Sequence, residues 1–295
     1  MTAARSDSSV QIILGSRTDL GQSRTINEDS AAALLPPNVP AGCGGLMIVC
    51  DGMGGHQAGE YASSLAVNTV VSELRNADHD ALLPSSAAET LYDAAVMANS
   101  RVFSESNSLE RAGMGTTLTA AVITGPVLAL AHVGDSRAYL LRNGELAQLT
   151  ADHTWVADRV QKGVITQAEA ETHSKRNVLL RALGVGESVE IDSSMVQIQE
   201  DDVILLSSDG LHGLVPGAGI ASVLAALSPQ EAASELVDRA NAAGGPDNIT
   251  AVVAKVLSTD PGTSVSAHNS SMTMTDGFGL KPRVINAVRR WARRS

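Results

Sequence analysis

Four aspartates lie at the ends of apolar runs that are typical of strands. Asp51 follows LMIVC, Asp135 follows ALAHVG, Asp209 follows VILLSS, and Asp247 comes just before ITAVVA. Desolvated carboxylates repel one another unless a positive charge compensates them, and oxygen-only ligands suit hard cations such as Mg²⁺ or Mn²⁺. One Asp-Gly pair would be an ordinary turn. Four such aspartates together predict a site for divalent metal ions.

A second polar segment, TDLGQSRTINEDS over residues 18–30, places Arg24 three residues before Asn27, Glu28 and Asp29. A guanidinium beside an acidic metal site suits a phosphate monoester, because its planar fork can hold two phosphate oxygens. The same pattern taken alone also fits a salt-bridged surface loop. We take Arg24, Glu28 and Asp29 as candidate catalytic residues.

The elements that must position these residues follow from two hydrophobic periods. Strand-like runs occur at 46–50, 118–123, 127–133, 137–142, 203–207 and 249–257, and helical spacing occurs within 67–74, 91–102 and 233–240. The Asn143-Gly144 link suits a hairpin, so we expect meander strands over 118–149. The pattern favours an α+β fold with antiparallel sheets and helices packed outside, over a doubly wound parallel sheet.

The composition of the chain excludes several classes of function. The chain has 295 residues, of which 44% are hydrophobic, so it should fold. A formal net charge of −11 and 2% aromatic residues make it a poor general binder of nucleic acid. No apolar run reaches the roughly 18 residues of a membrane span. Two cysteines give no disulfide framework. We therefore expect a monomeric, reduced, cytoplasmic protein.

Six segments, in order along the chain, resemble the bacterial form of the type 2C metal-dependent serine/threonine protein phosphatases. They are TDLGQSRTINED (18–29), VCDGMGGHQAGE (49–60), GMGTTLTAAVI (113–123), HVGDSRAYLLRNGEL (132–146), LLSSDGL (205–211) and GGPDNIT (244–250). The resemblance implies an αββα sandwich with metal ions in a cleft between the edges of its two sheets. It also implies hydrolysis of phosphoserine and phosphothreonine by direct attack of a water that bridges two metals.

By position, the resemblance implies a set of metal ligands. Asp51 would bridge two ions of Mn²⁺ or Mg²⁺, and the carbonyl of Gly52 would bind one of them. Asp209 and Asp247 would hold the other ion. Asp135, with help from Asp209, maps onto a third and weaker metal site.

The resemblance also implies catalytic roles, with one departure. Glu28 would act through metal-bound water, and Arg24 would hold the substrate phosphate. Eukaryotic members carry a histidine directly after the Asp-Gly pair, where this chain has Met53, which cannot transfer a proton. The alternatives for protonating the leaving oxygen are His56, three residues on, and a metal-bound water.

The resemblance implies phosphoprotein partners, namely Ser/Thr kinases and their targets, while regulators of sigma factors stay open as substrates. A phosphatase-like protein that binds phosphoproteins without turnover is disfavoured, because no metal ligand is missing. Neither Cys43 nor Cys50 has the downstream arginine that a cysteine-dependent phosphatase needs.

Composition shifts suggest the domain boundaries. We expect an N-terminal extension or first strand over 1–14, the catalytic domain over 15–257, a Ser/Thr-rich linker over 258–280 and a basic amphipathic tail over 281–295. The tail fits peripheral contact with an anionic membrane or a partner, autoinhibition of the acidic site, or solubility alone. Residues 152–183 correspond in position to the family's variable flap, a candidate for substrate selection.

Overall fold

The computed structural model describes residues 10–40, 42–54, 58–109 and 111–259. Its strands are β1 (Gln11–Asp19), β2 (Asp29–Leu34), β3 (Gly45–Met53), β4 (Gly115–Thr116), β5 (Leu118–Thr124), β6 (Val127–Val133), β7 (Arg137–Arg142), β8 (Glu145–Gln148), β9 (Asp192–Gln197), β10 (Val203–Ser207) and β11 (Ile249–Ser258). Its helices are α1 (Ala58–Asn76), α2 (Ala87–Ser106), α3 (Trp155–Gln161), α4 (Gln167–Thr172), α5 (Asp209–His212), α6 (Gly217–Ala226) and α7 (Pro229–Ala242), with a 3₁₀ turn at His79–Leu82.

The strands form two antiparallel sheets. The first has the order β1-β11-β10-β7-β8, and the second has the order β2-β3-β5-β6-β9, with β4 paired to β3. Helices α1 and α2 pack on the second sheet, and α6 and α7 pack on the first. The expected α+β fold, with two antiparallel sheets and flanking helices, is confirmed.

The cores explain why the central strands are apolar on both faces. The inner faces of the two sheets meet in one core that includes Met47, Leu130 and Leu206. The outer face of the second sheet is covered by α1 and α2, whose Leu74 and Leu91 are fully buried. Strands β3, β5, β6, β10 and β11 therefore have almost no exposed positions. A strand covered on both faces requires a continuous apolar run.

The predicted meander over 118–149 is two hairpins instead. Strands β5 and β6 pair in the second sheet, while β7 and β8 pair in the first, so the chain changes sheet after Val133. Gly134 makes this passage with φ of +107°. The predicted Asn143-Gly144 turn is confirmed, and both residues have positive φ, as a two-residue hairpin turn requires.

Two other predictions concern residues that lie outside the described ranges. The basic tail over 281–295 and nearly all of the linker over 258–280 lie outside them. Within the described part of the chain, no helix is long and apolar enough to cross a bilayer.

Candidate active site

All four strand-end aspartates line one cavity of about 430 Å³. The second sheet supplies Asp51, within β3, and Asp135, two residues after β6. The first sheet supplies Asp209, which follows β10 and begins α5, and Asp247, two residues before β11. The cavity thus lies where the two sheets meet. Arg24, Glu28 and Gly52 also line it.

Gly52 is required because other backbone segments approach it closely. A Cβ at this position would lie 2.1 Å from the carbonyl oxygen of Gly59 in the first turn of α1. The Gly52 amide donates a 3.0 Å hydrogen bond to the carbonyl of Glu28. The strand end carrying Asp51 is therefore fixed against both α1 and the segment before β2.

Thr117 links the two aspartates of the second sheet. Its Oγ1 accepts a 2.8 Å hydrogen bond from the Asp51 amide and lies 2.7 Å from the Ser136 hydroxyl, next to Asp135. Its own amide donates to the Asp51 carbonyl at 2.9 Å. Because Thr117 is almost fully buried, these contacts hold both aspartates in one fixed arrangement.

The loop that carries Asp135 is gripped by two adjacent residues, Asp152 and His153. The Gly134 amide donates to Nδ1 of His153 at 3.1 Å, and the His153 amide donates to the Gly134 carbonyl at 2.7 Å. Asp152 accepts two hydrogen bonds from the Arg137 guanidinium, at 2.8 and 2.6 Å. A bidentate pair of this kind fixes orientation as well as distance.

Asn248, next to Asp247, holds the segment before β2 by its side-chain hydrogen bonds. Its Oδ1 accepts a 2.8 Å hydrogen bond from the Glu28 amide, and its Nδ2 donates to the carbonyls of Leu20 and Ile26 at 3.1 and 3.0 Å. The start of β11 thereby holds the loop that carries Arg24 and Glu28.

Arg24 lies among the acids, as expected from its position in the sequence. Its Nη2 donates to Oδ2 of Asp247 at 2.8 Å, and its Nη1 lies 3.7 Å from Oε2 of Glu28. Desolvation lowers the pKa of Arg24, but the charges of Asp247 and Glu28 outweigh it and raise that pKa. Its side chain is 45% exposed, so the guanidinium is accessible from solvent.

The crowded carboxylates have raised pKa values. Burial, together with neighbouring aspartates, raises the pKa of Asp51 well above its ordinary value. Burial and the charge of Asp209 raise the pKa of Asp135 to about 7. Burial raises the pKa of Asp209, and the charge of Asp247 adds to this. A cation among them would offset both causes.

Asp29 does not line the cavity. It is 6% exposed, and its Oδ2 accepts hydrogen bonds from the hydroxyls of Ser208 and Thr250 at 2.7 and 2.6 Å. It therefore joins β2 of one sheet to β11 of the other and to Ser208, the residue between β10 and Asp209. This position favours a supporting role over direct contact with a substrate.

The residues fit a hydrated hard cation. Oε1 of Glu28 and Oδ1 of Asp209 are buried and lack a hydrogen-bond partner. Among the described residues, no three His, Cys, Asp or Glu side chains lie close enough to enclose an ion alone. Mg²⁺ commonly keeps several waters and takes only one or two carboxylates, so an open cavity lined by carboxylates suits it.

The leaving oxygen has two candidate sources of a proton, His56 and a metal-bound water, because Met53 cannot supply one. Met53 lines the cavity at the position where eukaryotic members carry histidine. His56 lies outside the described residues.

Sequence reasoning missed the three residues that hold the site together, Thr117, Asn248 and His153. Each is a buried polar residue within or next to a segment quoted above. The available signal was chemical, because a buried polar side chain needs a hydrogen-bond partner and each of these stands beside a candidate ligand or its loop.

Comparisons with known proteins agree with this geometry. Residues 22–257 match the family model described as protein phosphatase 2C. The chain is 38% identical over 255 residues to the serine/threonine phosphatase stp of Listeria monocytogenes, a match that covers 85% of this chain and 98% of that protein. It is 42% identical over 248 residues to the serine/threonine protein phosphatase PstP of Mycobacterium tuberculosis, covering 83% of this chain and 45% of PstP.

A solved structure extends the likeness to three dimensions. The crystal structure of the PstP catalytic domain in complex with two manganese ions aligns with a TM-score of 0.73 at 37% identity, over 84% of this chain and 100% of that chain. The order of the sheets, the cavity between them and these similarities point to one family. This chain belongs to the protein phosphatase 2C family of serine/threonine protein phosphatases.

Proposed function

We propose that this protein hydrolyses phosphoserine and phosphothreonine in proteins and depends on two Mn²⁺ or Mg²⁺ ions. Asp51, the carbonyl of Gly52, Asp209 and Asp247 would hold the two ions, and Asp135 with Asp209 would hold a third. Such ions, when bound, lower the pKa of a coordinated water and neutralise the oxygens of a phosphoryl group. The observation that carries this proposal is the meeting of four aspartates, two from each sheet, in one cavity.

Arg24 would bind the substrate phosphate. Its guanidinium is exposed and already lies against the acids that line the cavity. A phosphate dianion offers the same paired oxygens as a carboxylate, so it can replace Asp247 as the acceptor of Arg24. Arg24 would then orient the phosphoryl group without any covalent intermediate.

Glu28 would orient water. Its carboxyl is mostly buried, and burial raises its pKa, an effect that Asp247 adds to and Arg24 opposes. Oε1 is buried without a partner among the described residues, while the side chain as a whole keeps 15% exposure at the cavity, so the carboxyl can accept a hydrogen bond from a water there. Asp29, behind the cavity, would support Asp209 through Ser208.

The partners that fit this reaction are phosphoproteins, and we infer that the enzyme opposes Ser/Thr kinases on shared targets. The relatives named above carry serine/threonine phosphatase in their printed names, which supports this choice. A cytoplasmic location stays a prediction from the sequence.

The first test is metal dependence. Release of phosphate from a phosphothreonine peptide should require added Mn²⁺ or Mg²⁺ and should stop when EDTA is in excess. Asp209→Asn should remove most turnover and weaken Mn²⁺ binding measured by calorimetry, because it deletes a ligand charge at nearly constant volume.

Asp201→Asn is the matched control. Asp201 is an exposed aspartate far from the cavity lining, and Asn tolerates its positive φ. This variant should keep both turnover and Mn²⁺ binding. Full activity in excess EDTA, or wild-type turnover for Asp209→Asn, would overturn the proposal.

A further inference from the structure

Part of the cavity wall is apolar and open to solvent. We call Met53, Leu179, Leu180, Ala182 and Val185 the apolar wall, and all five line the cavity that holds the aspartates. Leu180 is 53% exposed and Val185 is 63% exposed. Large apolar side chains exposed together beside a site are typical of a surface that a ligand covers.

The apolar wall is anchored at both ends. Leu179 forms a β-bridge with Thr154, and Leu183 forms one with Thr116. The Leu180 amide donates to the His153 carbonyl at 2.7 Å, and the Leu183 amide donates to the Thr116 carbonyl at 2.8 Å. The exposure of Leu180 and Val185 is therefore a property of a hydrogen-bonded segment and does not come from a frayed loop.

The anchors place the apolar wall against the strand that carries Asp51. Thr116 pairs with Gly52 in the β3–β4 ladder, so the segment that bridges to Thr116 is fixed relative to the metal site. A Cβ on Gly115 would lie 2.7 Å from Cε of Met53 and 3.2 Å from Cγ2 of Val185. Because Gly115 has no side chain, Met53 and Val185 can both pack over its Cα.

The charged group nearest to this wall is already paired. Arg181 also lines the cavity, but its guanidinium donates to Glu190 at 2.6 Å and to Asp192 at 2.9 Å. Its charge is compensated by two carboxylates, so it does not turn the apolar wall into a second anion site.

We propose that the apolar wall binds an apolar side chain directly next to the phosphorylated residue of the substrate. This rests on the proposed function, which fixes the phosphate beside Arg24 and the aspartates. A neighbouring residue extends at most about 3.6 Å further along the chain, which keeps its side chain within the same cavity. A Leu, Ile or Val there buries apolar surface against Leu180 and Val185, whereas an acidic residue loses hydration beside a guanidinium, that of Arg181, which is already paired.

The test compares phosphothreonine peptides that differ only at the residues before and after the phosphothreonine. We expect Leu at one of these positions to raise kcat/KM about three- to tenfold over Ser, less than an enclosed pocket gives because the wall is open. Asp at that position should lower it below Ser. The preference for Leu should shrink to less than about twofold in Leu180→Ser and in Val185→Ser.

Val164→Ser is the matched control. Val164 has the same 63% exposure as Val185 and lies in the flap segment 152–183 with Leu180, but it does not line the cavity. Val164→Ser should keep the full Leu preference. All four proteins should share one unfolding midpoint, since each substitution is at an exposed site.

The outcomes separate this inference from the proposed function. Equal kcat/KM for Leu, Ser and Asp at both positions, with Mn²⁺-dependent turnover intact, would overturn the apolar wall alone. Loss of preference in Val164→Ser would do the same. Failure to release phosphate from any peptide or from an aryl phosphate in Mn²⁺ would instead overturn the proposed function.

Discussion

At the residue scale, Arg24 and the proposed metal ions compete for one carboxyl group, that of Asp247. Oδ2 of Asp247 accepts a 2.8 Å hydrogen bond from Arg24, and the same carboxyl is a proposed metal ligand. A cation drawing on that carboxyl weakens its attraction for the guanidinium, because the carboxylate charge is then divided between two partners. A metal ion bound by Asp247 would therefore favour the release of Arg24 toward an incoming phosphate.

We expect Arg24→Ala to raise the KM for phosphopeptides without weakening Mn²⁺ binding. A hydrogen bond to a charged group contributes about 1.5–3 kcal/mol, which corresponds to roughly a ten- to hundredfold change in KM. Steady-state kinetics at saturating Mn²⁺ and calorimetric Mn²⁺ titration measure the two effects separately.

Arg101→Ala is the matched control for Arg24. Arg101 has a similar exposure, 47%, and one carboxylate partner, Glu73, at 3.0 Å on the helical surface away from the cavity. It should change neither KM nor Mn²⁺ affinity. If Arg24→Ala loses Mn²⁺ affinity more than phosphopeptide affinity, Arg24 is a structural partner of the acids and not a phosphate ligand.

At the element scale, the chain crosses from the second sheet to the first between β6 and β7, beside the site. Gly134, Asp135 and Ser136 make this passage, and Asp152 and His153 hold it from the segment after β8. His153 accepts from Gly134 through Nδ1, so its Nε2 carries the hydrogen and lies 3.3 Å from Asp192 of β9. One imidazole thereby ties the loop of Asp135 to the edge strand of the second sheet.

We expect His153→Ala to lower the free energy of unfolding by about 1–3 kcal/mol, because it leaves the buried Gly134 amide without an acceptor. Urea denaturation of the metal-free protein measures this. His173→Ala is the control, since His173 stacks on Trp155 in the flap and is not buried. An unchanged midpoint for His153→Ala would show that the loop does not depend on this contact.

The sequence predicted where strands occur better than it predicted which strands pair with one another. The apolar runs that became β3, β5, β6, β10 and β11 were recognisable because both faces of these strands are covered. Strand β9 was not predicted, since it is a sheet edge with polar residues and its Met195 is 54% exposed. Which sheet each strand joins depends on pairings distant in sequence, and no local period encodes these.

Glycine within a strand shows a second limit. Gly15 falls inside β1, where a glycine ordinarily suggests a break or a bulge. A Cβ there would lie 2.2 Å from the Gln230 amide nitrogen, so the glycine lets α7 approach the sheet. In the site, strand ends and Asp-Gly pairs predicted the four aspartates, but the supporting contacts of Thr117 and Asn248 depend on the assembled fold.

At the scale of the whole molecule, the acids make stability depend on pH when no metal is bound. The folded-state pKa values of Asp29 and Asp135 are raised to about 7 from an ordinary 3.8, mainly by burial. A carboxyl with a raised pKa binds its proton more tightly in the folded state. Its favourable contribution is complete below the ordinary pKa and is lost as the pH rises through the folded value.

We therefore expect the melting temperature of EDTA-treated protein to fall as the pH is raised from about 5 to about 8, a range that crosses the folded-state pKa values of about 7. Saturating Mn²⁺ should raise the melting temperature more at the upper end of this range than at the lower, because protons and cations compete for the carboxyl of Asp135. Scanning calorimetry across the range measures both. A metal-induced shift that is equal at all pH values would contradict the assignment of Asp135 to the metal site.

The pairing of the first and last strands has a consequence for how the chain can be cut and rejoined. Gln11 pairs with Ser258 and Asp19 pairs with Ile249, so the two ends of the folded body are neighbours on one sheet. A short linker closes this gap, and new termini at the exposed Asn143-Gly144 turn leave every ladder intact. In such a circular permutant Asp209 and Asp247 of the first sheet precede Asp51 and Asp135 of the second sheet in the new chain order. Their reassembly would then measure whether the final three-dimensional arrangement, independent of the order of synthesis, is enough to build the site.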